Sequence, residues 1–93
     1  MAVVVVVFAK AFRRHVVCPD EMLDAADVRG VLVAYFAKHP VVQSYVVDEQ
    51  FSVRRHVALF VNDNQVVDRI GLSDPLSDTD TVHVFQALSG GCG

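Results

Sequence analysis

The residues of this chain best suited to chemistry are its last five, Ser89-Gly90-Gly91-Cys92-Gly93. Paired glycines carry no Cβ, so backbone built from them enters a channel too narrow for other residues. A chain cut after Gly91 would end in a glycine carboxylate that a partner enzyme could activate as an acyl group, with the preceding domain as a handle. The plainer reading of Gly and Ser at a terminus is a frayed end. The elements in front of the tail decide between the two.

No intrinsic active site competes with the tail. Asp20-Glu21 and Asp48-Glu49 fall in expected loops and read as solvated surface. Asp74, Asp78 and Asp80 form an acidic turn that would attract basic partners, although Asp is first of all a turn former. There is no nucleophile with a neighbouring base, no phosphate-binding glycine loop and no repeat. Cys18 reads as a small buried residue of a strand, with His15 three positions ahead. Two potential ligands do not make a metal site, and His39, His56 and His83 are scattered, so neither metal nor cofactor is expected. Cys92 on an exposed tail could form a mixed disulfide, but no neighbour would lower its pKa. The chain is not expected to be an enzyme.

Ninety-three residues, 53% of them hydrophobic, make one small domain able to bury a core. The net charge of -3 comes from 11 acidic and 8 basic residues with no basic stripe, which argues against nucleic acid as a partner. Two cysteines without paired spacing form no disulfide framework, so a reducing cytoplasm is the expected location. The opening run Val3 to Ala9 lacks a basic region and a cleavage site and is far shorter than the ~20 residues of a membrane span. Neither a signal nor a membrane partner is expected.

That run is instead rich in β-branched residues, which favour extended backbone, and it predicts a first strand over 2–10. After the charged break Ala11 to Arg14, His15 to Cys18 predicts a short antiparallel return, ended by Pro19. Asp24 as N-cap, followed by Val28, Val31, Leu32, Tyr35 and Phe36 at helical spacing, predicts a helix over 24–38, stopped by Pro40. Residues 41–55 show no sustained period and read as a connection. His56 to Val61 predicts a third strand, Asn62 to Gln65 a turn, Val66-Val67 a short return, and Thr81 to Ala87 a last strand. One main helix on a mixed sheet of four to five strands is an α+β two-layer domain over 1–88, with 89–93 as the tail.

Alternation along the strands adds a surface. With Val57, Leu59 and Val61 facing the helix, Phe60 faces away; with Val82 and Val84 inward, His83 and Phe85 lie on the open face. The same parity puts Val5 and Val7 inward and Val6 and Phe8 outward. Phe8, Phe60 and Phe85 would then form an apolar patch that no helix covers, unless the long connection folds over them. Such a patch on a small protein marks a protein partner.

The element order, the segment HVALFVNDNQV, the acidic turn LSDPLSDTD and the ending VHVFQALSGG together resemble the ubiquitin-like β-grasp sulfur carriers. That family includes the small subunit of molybdopterin synthase, the thiamin-pathway carrier ThiS and the cysteine-pathway carrier CysO. The resemblance spans nearly the whole chain and is weakest over 40–55. It implies a β-grasp fold and a protein that carries sulfur. A ubiquitin-activating-type enzyme would adenylate the carboxylate of Gly91 with ATP, a persulfide or sulfide would displace AMP, and the resulting thiocarboxylate would serve a downstream biosynthetic enzyme. It further implies that the open face near the tail contacts these partners, with Phe8 and Phe85 at positions that match family contacts; Phe60 of the patch and Leu88 at the tail's root are expected to join them.

The sequence departs from the family pattern after Gly91, because Cys92 and Gly93 follow where most members end. The departure resembles carriers made as proproteins, which implies a JAMM-type zinc peptidase that removes Cys92-Gly93. Two other readings stay open: a ubiquitin-like modifier joined to lysines through Gly91, and a β-grasp binding module whose patch acts without the tail.

Overall fold

The computed structural model describes residues 2–14 and 16–86. The valine-rich run Ala2–Phe8 forms strand β1, and one helical turn, α1 (Lys10–Arg13), follows it. Strand β2 (Glu21–Ala25) returns antiparallel to β1, with Ala2 opposite Ala25 and Val6 opposite Glu21. The expected return over 15–18 is therefore misplaced. Pro19, which cannot donate to a ladder, lies ahead of the strand that forms rather than behind it. The alternation sits in Glu21–Ala25, where Leu23 and Ala25 are buried and Met22 and Asp24 are exposed.

Helix α2 (Val28–Lys38) is capped by Asp27, whose Oδ1 accepts from the Gly30 N–H at 2.7 Å. Asp24, the expected cap, belongs to β2, and the helix starts four residues later than predicted. Val28, Val31, Leu32, Tyr35 and Phe36 are buried as the spacing required. Pro40 ends α2 but also opens a second helix, α3 (Pro40–Val46), since a proline at a first helical position lacks only a donor that would go unused. Val42 and Val46, four apart, anchor α3, so the stretch expected to be a connection begins as a helix.

Strand β3 (Val57–Val61) turns at Asn62-Asp63 into the two-residue strand β4 (Asn64–Gln65). Asn62 takes the left-handed backbone, φ 56°, that asparagine tolerates. The return thus begins at Asn64 rather than Val66, and Val66 extends it by donating to the Leu59 carbonyl at 2.8 Å. Strand β5 (Thr81–Gln86) completes a sheet ordered β2-β1-β5-β3-β4, in which β1 and β5 run parallel and the other pairs antiparallel.

The core lies between the sheet and α2. Val57, Leu59, Val82 and Val84 face it, in the phase the alternation indicated. On β1 the phase is the reverse of the expectation: Ala2, Val4, Val6 and Phe8 are buried, while Val5 and Val7 lie on the other face. Five consecutive valines satisfy either phase equally, and the bulky ring at the end of the run decides. Phe8, 2% exposed, packs 5.0 Å from the Tyr35 ring and 5.6 Å from Phe12, both ring centroid distances. Tyr35 is itself buried and donates its hydroxyl to the Pro19 carbonyl at 2.7 Å. Burial pushes its phenol pKa up, so it stays a donor at any ordinary pH. Among the described residues, no helix is long and apolar enough to cross a membrane.

Candidate functional site

The tail residues Gly90, Gly91, Cys92 and Gly93, and Leu88 at its root, lie outside the described residues. What the structure supplies is the strand that leads to them and the face beside it. Residues Thr81, His83 and Phe85 of β5 point away from α2, because Val82 and Val84 take the buried phase. Register then brings a row together across three strands: His83 stands opposite Val7 of β1 and Phe60 of β3, and Phe85 stands opposite Ala58.

The rings make contact on this open face. Phe60 and Phe85 meet edge to face with centroids 5.6 Å apart, and the His83 ring stacks on Phe85 at 5.7 Å with an interplanar angle of 11°. Phe85 remains 41% exposed, one residue before the last described residue. Phe60 and Phe85 therefore share a surface, and the loops do not bury it. Phe8 does not join them: it belongs to the core, and as a contact residue it is a correction. Val7, which the parity argument had placed inside, takes its place on the face. Its signal was present only in the register with His83, which needs the phase of β1.

The remaining candidates are occupied with structural work. Asp74 accepts from the Val67 and Asp68 N–H groups at 2.9 and 3.0 Å, and Asp78 accepts from Val3 N–H at 2.8 Å. Asp80 accepts from Ser77 N–H and the Asn62 amide, and the first of these holds its carboxyl below the usual range. Asp68, which no motif singled out, is lowered to about 2 by the Ser73 hydroxyl and by the backbone N–H groups of Gly71 and Ser73. The acidic turn is a set of carboxylate braces that tie this loop to other segments. Of the paired acids, Asp20 binds Arg13 at 2.7 Å, and Glu21 binds His39 at 2.7 Å and Lys38 at 3.5 Å. The His39 hydrogen bond is the largest cause of the lowered Glu21 pKa. Asp48 caps the Gln50 and Ser52 N–H groups.

Cys18 is buried, and burial pushes its thiol pKa up, so it is not a poised nucleophile. It lies in the loop before β2 rather than in a strand, and its sequence neighbour His15 lies outside the described residues. Among the described residues, no three His, Cys, Asp or Glu side chains cluster as a metal site.

The sequence profile of the ThiS family matches residues 5–91. No curated protein matches the chain. Solved structures share its fold, among them the following three. Small archaeal modifier protein 1 of Methanosarcina acetivorans is 23% identical, with a TM-score of 0.79 over 98% of each chain. The same-named protein of H. volcanii is 16% identical, with a TM-score of 0.78 over 95% of this chain and 100% of its own. A chain in the crystal structure of the Amycolatopsis orientalis BexX/CysO complex is 25% identical, with a TM-score of 0.78 over 95% of this chain and 99% of its own. The mixed five-stranded sheet with one main helix is the α+β β-grasp fold of these proteins.

Proposed function

This chain belongs to the ThiS family of non-catalytic carrier proteins, and on that premise we propose that it carries sulfur as a thiocarboxylate on Gly91. The observation that carries the reading is where the family match stops: it runs through both glycines and ends at Gly91. Strand β5 leads there from an exposed aromatic face and ends at Gln86, five positions before Gly91. Hydrolysis of the Gly91–Cys92 peptide bond, by a JAMM-type zinc peptidase, frees the carboxylate and releases whatever follows it, Cys92 and Gly93 included.

The chemistry needs activation because a carboxylate is a poor electrophile. An oxygen of the Gly91 carboxylate attacks the α-phosphorus of ATP on a ubiquitin-activating-type enzyme, and pyrophosphate leaves. Hydrosulfide then attacks the acyl carbon, AMP leaves with the electron pair of the broken C–O bond, and the proton of the thiol is lost to solvent. The thiocarboxylate that remains is a nucleophile for a downstream biosynthetic enzyme. Each step happens on a partner. The carrier supplies a side-chain-free tail that fits a narrow channel and the Phe60–His83–Phe85 face that docks beside it. That a relative, the CysO protein, forms a crystalline complex with BexX supports protein docking as the mode of action.

The same activated Gly91 could instead be joined to lysine amines, as the name modifier of the archaeal relatives indicates. One measurement separates the two: the intact mass of the protein from its native host. A chain ending at Gly91 and heavier by the difference between sulfur and oxygen is the expected result. Trimming without sulfur, together with lysine-linked adducts, would replace the sulfur reading with conjugation. A protein that transfers sulfur while still bearing Cys92-Gly93 would overturn the processing step.

A further inference from the structure

The net charge of -3 conceals a segregation that the topology creates. At the end of the sheet away from the tail lie Asp24 at the close of β2, Asp63 in the β3–β4 turn, and Asp78 and Asp80 ahead of β5. No Lys or Arg accompanies them in those segments. At the tail end the sign reverses. Phe8 of β1 stands opposite Val84 in the parallel pair, and the chain turns there into α1, which begins at Lys10. On the other side Val57 pairs with Gln86, so Arg55 lies just past it, and Arg14 closes α1 at the same end.

Among the described residues these three cations are uncommitted. Lys10, Arg14 and Arg55 are exposed, and none is ion-paired with a carboxylate among the described residues. Two acids of this end are already taken, Asp20 by Arg13 and Glu21 by His39 and Lys38, while Asp48 and Glu49 line a groove with Arg54. The other nearby guanidinium groups serve the fold, Arg54 through the Ser44 carbonyl and Arg69 through the Arg54 and Val57 carbonyls. Three like charges around one strand end repel one another, and among the described residues no side-chain hydrogen bond or ion pair holds them there.

We infer that Lys10, Arg14 and Arg55 form a cationic collar around the root of the tail that recognises an acidic rim at the mouth of the channel receiving it. The inference rests on the proposed function for its recipient, the adenylating enzyme. The position of the collar selects this occupant. Five extended residues span up to about 17 Å, so a nucleotide that meets Gly91 inside the channel is out of reach of side chains at Gln86. What reaches them is the protein surface at the channel mouth. Rim charges of this kind govern encounter and orientation, and screening by salt weakens them. The acidic far end then faces away from an acidic partner and disfavours inverted docking.

The test is ATP–pyrophosphate exchange by the adenylating enzyme of the same organism, using the chain truncated after Gly91. For the wild-type carrier, KM is expected to rise as NaCl increases from about 0.05 M to about 0.3 M. The triple variant Lys10→Gln/Arg14→Gln/Arg55→Gln is expected to raise KM about tenfold at the low salt, leave kcat unchanged and flatten the salt dependence. Asp63→Asn, in the exposed turn at the far end, serves as the control and leaves KM in place. A triple variant that keeps wild-type KM and salt slope, with wild-type melting, overturns the collar. Wild-type carrier that supports no exchange overturns the adenylation reading itself and removes the collar's recipient. Salt-sensitive binding of a DNA duplex by the wild type, lost in the triple variant while exchange is unchanged, assigns the cations to nucleic acid instead.

Discussion

Phe8 and Phe85 sit on neighbouring strands one register step apart, and they face opposite ways. Phe8 is sealed between the sheet and α2, touching Phe12 and Tyr35, whereas Phe85 stands on the open face against Phe60 and His83. The same residue type thus does two jobs. On the covered face a ring is held by neighbours on every side and its removal leaves a cavity. On the open face a ring is held by two others and its apolar surface still meets water, a state that a protein partner relieves. The comparison separates what folds this domain from what it presents.

The largest effect that comparison predicts is at Phe8. Phe8→Ala is expected to cost about 3–5 kcal/mol of stability, the range for a buried phenylalanine, read as a lower midpoint in urea unfolding. A cost no larger than that of an exposed substitution would mean that the covered face is not the stabilising one. A finer probe is Tyr35→Phe, which keeps the ring against Phe8 and removes only the hydroxyl that donates to the Pro19 carbonyl. The expected cost is about 1 kcal/mol, seen in the same urea titration and with no change in adenylation kinetics. A change in KM without a change in stability would place Tyr35 in the docking machinery rather than the core.

That Phe8 lies inside was not legible in the sequence, and the reason is specific. Strand phase is readable where polar and apolar residues alternate against a known face, as in Thr81–Gln86, where His83 and Phe85 fall outside Val82 and Val84 as expected. In Val3–Val7 every residue is equally content on either face, so the phase is fixed only by tertiary contacts of the next ring. The strand Glu21–Ala25 was masked differently: its acids resemble a helix start, and the true cap, Asp27, stands three residues beyond the expected one. Helix α3 hid behind a proline that both stops one helix and begins another. The open-face aromatics Phe60 and Phe85 were legible, whereas Val7 and the collar of Lys10, Arg14 and Arg55 were not. Their grouping comes from strand order and register, which bring residues 10, 55 and 86 to one end of the sheet.

The smallest effect on stability is expected where the largest effect on function lies. Phe85→Ala removes a ring that is 41% exposed and touches Phe60 and His83 at centroid distances of 5.6 and 5.7 Å. An aromatic pair contributes about 0.5–1.5 kcal/mol when well packed, and partial exposure puts the expected loss at the lower end of that range. The same ring buried in a partner becomes an anchor, and truncating an interface anchor costs about 2 kcal/mol or more. In the pyrophosphate-exchange assay the expected result is thus a KM for the carrier raised about thirtyfold, with the urea midpoint close to wild type. Unlike the collar effect, this rise persists at high salt, because apolar burial is not screened as exposed charge is. Phe8→Ala, assayed without urea, gives the reverse profile: large loss of stability and unchanged KM for the folded fraction. Should Phe85→Ala destabilise the fold as much as Phe8→Ala while leaving KM unchanged, the open face would be a second core surface, and the domain would meet its partners through the tail alone.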